Sequence, residues 1–221
     1  MIQKTLFQFK DALIKAIFET VQMMSVAMLF SLIFGLIFGF MLFVFRKNGT
    51  YEKPLLYMIL SSLINLVRSV PFILFIIVMI PFNRKIIGTG FGVYASMIPL
   101  SIMGIATFSR FVEQDLLDVN PSIHETAYAL GANKLQYFKE FLLVEARSSL
   151  VLSFTSTSIS LLSYSTVMGI IGGGGLGYLA MAEGYHNFNY PLMWLIIVLM
   201  ILLVHLIQSV GNLVSRKIDY R

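Results

Sequence analysis

The sequence predicts an all-α membrane protein with five transmembrane helices and one long polar loop. Of the 221 residues, 57% are hydrophobic and only 12% are charged, and the mean hydropathy is +0.83. Soluble domains carry about a quarter charged residues, so this composition excludes a soluble domain. The net charge of +5 does not indicate nucleic-acid binding, because that needs basic residues clustered on a soluble face. The lack of cysteine excludes disulfides and thiol chemistry.

Gaps in the charge distribution locate the five spans. No Lys, Arg, Asp or Glu lies between Glu19 and Arg46, and further gaps follow along the chain. A spanning helix needs about 20 mostly apolar residues. The predicted spans are residues 20–45, 55–81, 90–111, 148–171 and 191–214. They form one transmembrane domain over residues 20–215, which an interfacial segment over residues 1–19 precedes.

The basic residues indicate how the chain is oriented in the cell membrane. Ten Lys and Arg residues lie on one side of the predicted spans, five lie on the other, and Arg68 lies within the second span. Basic residues concentrate in the cytoplasmic loops of membrane proteins. The sequence therefore predicts an N-terminus outside the membrane, a cytoplasmic C-terminus and a cytoplasmic loop over residues 112–147.

The pattern of this cytoplasmic loop predicts a short helix. Asn120-Pro121-Ser122 is typical of a helix start, because a capping residue precedes proline at the first helical position. Ser122 and Glu125 also fit a capping box, in which each side chain binds a free amide at the helix end. Gly131 predicts the end of the helix. By pattern alone, the segment is equally consistent with an ordinary interfacial helix that Glu125 merely caps.

The spacing within the loop resembles the EAA loop of ABC importer permeases. Glu125-Thr126-Ala127 is followed after three residues by Gly131 and, after nine more, by the segment 141–144. The family pattern has Glu-Ala-Ala, then Gly, then Ile-x-Leu-Pro at the same offsets. Three residues depart from that pattern, namely Thr126, Phe141 and Val144.

Segments outside the loop resemble the methionine importer permease family and keep its order and spacing from residue 60 onward. One departure follows Gly184-Tyr185, where His186 and Asn187 stand in place of the usual Gln-Arg. The resemblance implies a type I ABC importer permease fold with five spans, working as a homodimer. The matching segments are 68–72, 80–84, 88–89, 99–100, 164–165, 172–180 and 184–185.

The resemblance also implies partners and a substrate. Two cytoplasmic ATPase subunits would dock on the loop, and an extracytoplasmic binding protein would deliver L- or D-methionine or a related sulfur amino acid. ATP and Mg²⁺ would bind to the partner ATPase, so this chain is expected to hold no cofactor, no metal and no catalytic residue. The residues implied to couple to the ATPase are Glu125, Ala127, Gly131, Ala132 and Leu143.

A polar stripe is predicted on the second span, at the helical spacing of i, i+4, i+7 and i+8. Polar groups at membrane depth must face protein or water. They could pair with a neighbouring helix or a second copy, or they could line the translocation path. In the second case Arg68 would attract the carboxylate of an amino acid. The stripe consists of Ser61, Asn65, Arg68 and Ser69.

The fourth predicted span carries eleven Ser or Thr residues within residues 148–166. Hydroxyl groups can bond to carbonyls of their own helix, which makes such a helix tolerable in a bilayer. Ser160 and Tyr164 share one face, and Met168 lies one turn beyond. We expect this helix to line the pore or the dimer axis, with Met168 as a flexible plug. The alternative is a helix that is merely well packed.

A glycine-rich run at residues 172–177 follows that span. No predicted strand precedes it and no Lys-Ser or Lys-Thr follows it, so it is neither a dinucleotide-binding loop nor a P-loop. We expect a hinge or re-entrant turn that lines the outer vestibule. The predicted hinge residues are Gly172, Gly173, Gly174, Gly175 and Gly177.

A stand-alone secondary transporter driven by an ion gradient is the rival hypothesis. Such a transporter needs buried acidic or histidine relays, whereas the predicted spans contain no Asp or Glu and only His205. The three histidines, at positions 124, 186 and 205, do not have the spacing of metal ligands. A structural or assembly subunit is disfavoured by the polar stripe.

Overall fold

The computed structural model describes residues 7–219, and within this range the chain forms helices and no strand. Four helices are long and apolar enough to cross a membrane, and a bent pair of shorter helices makes a fifth candidate span. The predicted all-helical membrane class is confirmed. The helices are α1 Lys10–Phe45, α2 Pro54–Ser69, α3 Phe72–Ile87, α4 Val93–Leu117, α5 Ser122–Ala129, α6 Lys134–Ile170, α7 Gly175–Leu179 and α8 Tyr190–Ile218.

Two helices contain or adjoin π-helical turns. In α6 the segment Tyr137–Leu142 is π-helical, between a short α-helical start and the long α-helical part Leu143–Ile170. Likewise α7 continues into π-helical Ala180–His186. Such turns are rare and frequently mark functional sites.

The second predicted span, residues 55–81, is not one straight helix, because the chain bends by 109° between α2 and α3. Val70 at the bend is extended, with φ −82° and ψ 129°. The ring of Pro71 disfavours helical geometry at the residue before it, which explains the break. Arg68 and Ser69 therefore lie beside a corner rather than in the middle of a straight helix.

The boundary predicted at residue 19 marks no break in the chain. Residues 1–6 of the predicted interfacial segment lie outside the described residues, and from Lys10 the helix α1 runs without interruption to Phe45. Leu13 and Ala16 are buried against residues of α7 and α8. The described end of this segment is thus part of the packed helical body.

Helix α4 lies at the centre of the fold, where it contacts α1, α2, α3 and α6. Two glycines of α1 allow its close approach. A Cβ atom added at Gly35 would lie 2.7 Å from Cδ1 of Phe108, and one added at Gly39 would lie 2.5 Å from Cβ of Val112. Glycines four residues apart often bring two membrane helices into backbone contact in this way.

Large apolar side chains on the outer faces of α1, α2 and α8 are exposed in the single chain. Examples are Phe30 on α1, Leu63 on α2 and Leu202 on α8. An apolar surface of this extent needs lipid or protein against it. The single chain is therefore a membrane-embedded body, with its one long polar connection carrying α5.

Candidate functional site

Helix α5 starts where the sequence predicts, and the side chain of Asn120 caps it as predicted. The side chain of Asn120 accepts a hydrogen bond from the amide of Ser122 at 3.0 Å, as expected of a residue before a helical proline. The predicted capping box of Ser122 and Glu125 is wrong, because the N-terminus of α5 has no side-chain bond of that kind. Glu125 is instead exposed on the surface of the loop.

Gly131 ends α5 with the geometry that favours glycine. Its φ is +71°, and its amide donates to the carbonyl of Tyr128 at 3.0 Å. The next amide, of Ala132, donates to the carbonyl of Ala127, also at 3.0 Å. This pair of bonds is the Schellman motif. It turns the chain sharply into α6, whose start is capped by Asn133 through a bond from the amide of Gln136.

The inner side of α5 packs on the body of the protein. Ala127 is 2% exposed, and the ring of His124 contacts the ring of Tyr137 at a centroid distance of 5.0 Å. Beneath this contact, Phe138 and Leu142 of the π-helical turn join a buried cluster with the ends of α1 and α4. Because α5 packs on this turn, a movement of α5 would displace side chains that contact the ends of α1 and α4.

The outer side of α5 and of the turn after it exposes an apolar surface. Tyr128 is 83% exposed, Leu130 is 71% exposed and Leu135 is 68% exposed. Sequence reasoning did not identify these three residues as a surface for a partner, although large apolar side chains in a polar loop are a usable signal. We call Tyr128, Leu130 and Leu135, together with Glu125 and Gly131, the cytoplasmic patch, after the side of the membrane that the basic residues predict for this loop.

The residues predicted to couple to an ATPase divide between the two sides. Glu125, Gly131 and Leu143 are exposed, Ala132 is partly buried, and the methyl group of Ala127 faces inward. Ala127 cannot offer its side chain to a partner in this structure. Its small size instead allows α5 to lie close to α6.

The residues of the polar stripe on α2 fall into two pairs, one bonded to α4 and one exposed. Ser61 and Asn65 bind the guanidinium of Arg110 on α4, whose Nη2 donates to Asn65 Oδ1 at 2.9 Å and to the carbonyl oxygen of Ser61 at 3.1 Å. This is pairing with a neighbouring helix, one of the two alternatives. Arg68 and Ser69, in contrast, are exposed beside the corner between α2 and α3.

The predicted pathway residues of α6 make contacts within the chain. The hydroxyl of Ser160 donates to the carbonyl of Ser156 at 3.0 Å, and Tyr164 lies against Phe72 of α3 at a ring centroid distance of 4.5 Å. Met168 is 3% exposed and belongs to the central apolar cluster. In this structure Met168 is a packed side chain.

The glycine run forms a tightly packed turn. Gly172, Gly174 and Gly175 have positive φ, and the turn is bound to α1 by two side chains. Glu19 Oε2 accepts from the amide of Gly175 at 2.8 Å, and Thr20 Oγ1 accepts from the amide of Leu176 at 2.9 Å. Of the predicted hinge residues, Gly174 and Gly175 therefore lie beside α1, whereas Gly177 lies against Thr166 of α6.

Two cavities adjoin this turn. One of about 450 Å³ lies between α1, α4 and α7 and has Lys15, Glu19 and Tyr178 in its wall. The other, of about 600 Å³, is mainly apolar and lies between α6, α7 and α8, with Thr166 and His205 in its wall. Among residues 7–219, no group of three His, Asp or Glu could hold a metal ion.

Residues 31–220 match the family described as the binding-protein-dependent transport system inner membrane component. The chain belongs to this family. As a binding-protein-dependent transport component, it is a membrane transport subunit. The exposed apolar helix faces and the helix-turn between two long spans are thus features of a membrane transport subunit.

Curated relatives of this permease are similar over nearly its full length. It is 36% identical to the probable D-methionine transport system permease protein MetI of Vibrio cholerae, over 96% of this chain and 94% of that protein. It is 31% identical to the methionine import system permease protein MetP of Bacillus subtilis, over 82% of each chain. The resemblance to methionine importer permeases inferred from sequence segments is confirmed.

Solved structures of ABC transporter chains also match the fold of this permease. A chain of the inward-facing MetNI methionine ABC transporter superposes with a TM-score of 0.91 at 35% identity, covering 96% of this permease and 98% of that chain. A chain of an amino acid ABC transporter matches with a TM-score of 0.80 at 16% identity, covering 96% and 97%, which supports the fold alone. The predicted ABC importer permease fold is confirmed.

Proposed function

We propose that this chain is the membrane-spanning subunit of an ABC importer that carries methionine, as the L or the D isomer, or a related sulfur amino acid. The observation that carries the proposal is the 35% identity and TM-score of 0.91 to a chain of the MetNI methionine transporter over 96% of this chain. The curated relatives are named for methionine transport as well. Fold alone would not support a substrate, so the sequence identity decides it.

The cytoplasmic patch is the proposed docking surface for the ATPase. It is an apolar surface on a loop between two long helices, with Tyr128 and Leu130 more than two-thirds exposed. Exposed patches of this kind mark protein interaction sites. Two ATPase subunits would bind ATP and Mg²⁺ and would dock on two copies of this chain, with Glu125 and Gly131 in the contact and Leu143 near it.

The opposite end of the helices is proposed to face the binding protein. It carries the turn around the predicted hinge glycines and the departures His186 and Asn187, both of which are exposed. Substrate would pass along the corner between α2 and α3, where Arg68 can attract a carboxylate. It would then pass the hydroxyl-rich face of α6, with Met168 closing the path at rest.

Uptake by reconstituted vesicles tests this function. The permease, its co-purifying ATPase and a methionine-binding protein are incorporated, and labelled L-methionine uptake is measured with ATP inside the vesicles. We expect uptake that depends on ATP, that unlabelled L- or D-methionine inhibits and that leucine at equal concentration does not inhibit. Vesicles with an ATPase lacking its catalytic base are the matched control.

The outcomes separate the importer from its rival. Uptake that continues without ATP and follows an imposed proton or sodium gradient would indicate a secondary transporter. ATP-dependent uptake that leucine inhibits as strongly as methionine does would retain the importer and overturn the proposed substrate.

A further inference from the structure

Arg110 forms a buried ion pair within α4 and also bonds to α2. Arg110 Nη1 contacts Glu113 Oε2 at 2.5 Å, and the two side chains are only 12% and 6% exposed. The other end of the same guanidinium, Nη2, reaches the hydroxyl of Ser61 at 2.5 Å and the amide oxygen of Asn65 at 2.9 Å. The planar fork of arginine suits it to bind several acceptors from one position.

This bridge matters because α2 has few other anchors. Within α2 only Ile64 is buried, in a small cluster with Leu42 of α1 and Ala106 of α4. In contrast, α4 buries residues along its whole length. The guanidinium of Arg110 is therefore the main polar link between a lightly held helix and the centre of the fold.

The bridge also lies between two functional surfaces. Arg110 is seven residues from Leu117, where α4 ends, and α5 with the cytoplasmic patch starts at Ser122. On the other side, Arg68 lies one helical turn beyond Asn65, next to the corner between α2 and α3. A displacement of α5 can thus reach Arg68 through α4, the guanidinium and α2.

We propose that Arg110 is a positioning residue that transmits movement of the cytoplasmic patch to the corner of α2 and α3. This inference rests on the proposed importer function. Glu113 holds the guanidinium in a fixed orientation through the buried ion pair. Separating the two side chains would leave each buried charge uncompensated, which is unfavourable. Through the bonds from Arg110 to Ser61 and Asn65, a displacement of α4 would then displace α2. Two residues of the polar stripe predicted from sequence, Ser61 and Asn65, thus form a mechanical contact between α2 and α4.

The sharpest test leaves the ion pair intact and removes both side-chain acceptors on α2. In the variant Ser61→Ala/Asn65→Leu, Arg110 loses its bonds to the two side chains and keeps only the bond to the Ser61 carbonyl oxygen, while Arg110 and Glu113 remain paired. We expect the amount of methionine imported per ATP hydrolysed to fall about tenfold, since a hydrogen bond to a charged group contributes enough to shift an equilibrium by that factor. The ATPase should still co-purify. Ser62→Leu is the matched control, because Ser62 is an exposed neighbour on α2.

A second pair of variants examines the guanidinium. Arg110→Lys keeps the charge near Glu113 but lacks the fork that reaches α2, so it should lower the transport-to-ATP ratio as Ser61→Ala/Asn65→Leu does. The double variant Arg110→Gln/Glu113→Gln removes both charges, which avoids leaving a buried carboxylate unpaired. It should insert and assemble, and it should show the same loss of ratio.

A labelling measurement distinguishes transmission from a merely structural role. The chain has no cysteine, so a Ser69→Cys variant can report on the corner alone through its reaction rate with a water-soluble maleimide. We expect a non-hydrolysable ATP analogue to change this rate in the parent complex and to change it much less in the Ser61→Ala/Asn65→Leu background. If the nucleotide effect and the transport-to-ATP ratio both survive in Ser61→Ala/Asn65→Leu, the inference is overturned. If the parent complex imports no methionine with ATP, the proposed function itself fails.

Discussion

At the scale of single residues, Gly131 and Ala127 contribute to the cytoplasmic patch in opposite ways. Gly131 is exposed, and an added Cβ would meet nothing within 4 Å. Glycine is therefore favoured here by its positive φ, which residues with a side chain adopt only at a cost in free energy. Ala127 is buried beneath α5, so its value lies in its size. A pattern of Glu, Ala and Gly at fixed offsets therefore combines one exposed charge, one inward contact and one turn.

Replacement of Gly131 by arginine tests the docking surface. Gly131→Arg should insert into the membrane normally and lose association with the ATPase, because a long charged side chain would project from the centre of the patch. The backbone strain adds about 1–2 kcal/mol locally. Co-purification of the ATPase from detergent-solubilised membranes measures the association, with the yield of inserted permease measured in parallel.

Gly131→Asn is the control for that experiment, since asparagine tolerates positive φ better than other side chains and is much shorter. It should retain most of the association. Normal assembly of the Gly131→Arg complex would contradict the location of the docking surface.

Some residue contacts were predictable from the sequence and others were not. The end of α5 at Gly131 could be predicted because its signal is local. The cap by Asn120 was also predicted, whereas the capping box of Ser122 and Glu125 was predicted incorrectly, because Asn120 and Ser122 compete for the same free amides and only geometry decides between them. The partner of Ser61 and Asn65 could not be predicted, because Arg110 lies 45 positions beyond Asn65 in the chain.

At the scale of helices, the bend at Val70 shows what a hydropathy pattern omits. The predicted span over residues 55–81 was longer than the roughly 20 residues a straight crossing needs, and it contained Pro71. Both features were signals of a break. Hydropathy averages over a window and so joins two apolar helices, whereas the 109° angle between them depends on a single peptide unit.

The contact of α1 with α4 gives a prediction at this scale. Gly39→Leu should prevent close packing of the two helices, because even its Cβ would lie 2.5 Å from Cβ of Val112 and 2.6 Å from the carbonyl oxygen of Ser109. Overpacking typically costs about 1–3 kcal/mol, and here the obstacle includes backbone. We expect a lower melting temperature of the purified permease in detergent and a lower yield.

Ile37→Leu is the matched control for that substitution, because Ile37 lies on the same helix with its side chain exposed. It should melt like the parent protein. An unchanged melting temperature for Gly39→Leu would mean that α1 and α4 separate more readily than their packing indicates.

At the scale of the whole molecule, the bilayer explains why the fold class could be predicted. Within hydrocarbon every backbone amide needs an internal partner, which limits spanning structures to helices and closed barrels. Five long apolar segments without β-type alternation therefore indicated a helical protein. How these helices tilt and which of them touch depends on side-chain contacts such as Gly35 with Phe108, which the charge pattern does not contain.

The orientation predicted from charge gives a test of the complete topology. With ten basic residues on one side and five on the other, the cytoplasmic patch should be inside and the end of α7 should be outside. Because the chain has no cysteine, single exposed cysteines can be introduced. Phe7→Cys and Asn187→Cys should react with a membrane-impermeant maleimide in intact cells or spheroplasts, whereas Glu140→Cys should react only after permeabilisation. The reverse pattern would place the patch, and with it the proposed ATPase contact, on a side where no ATP is available.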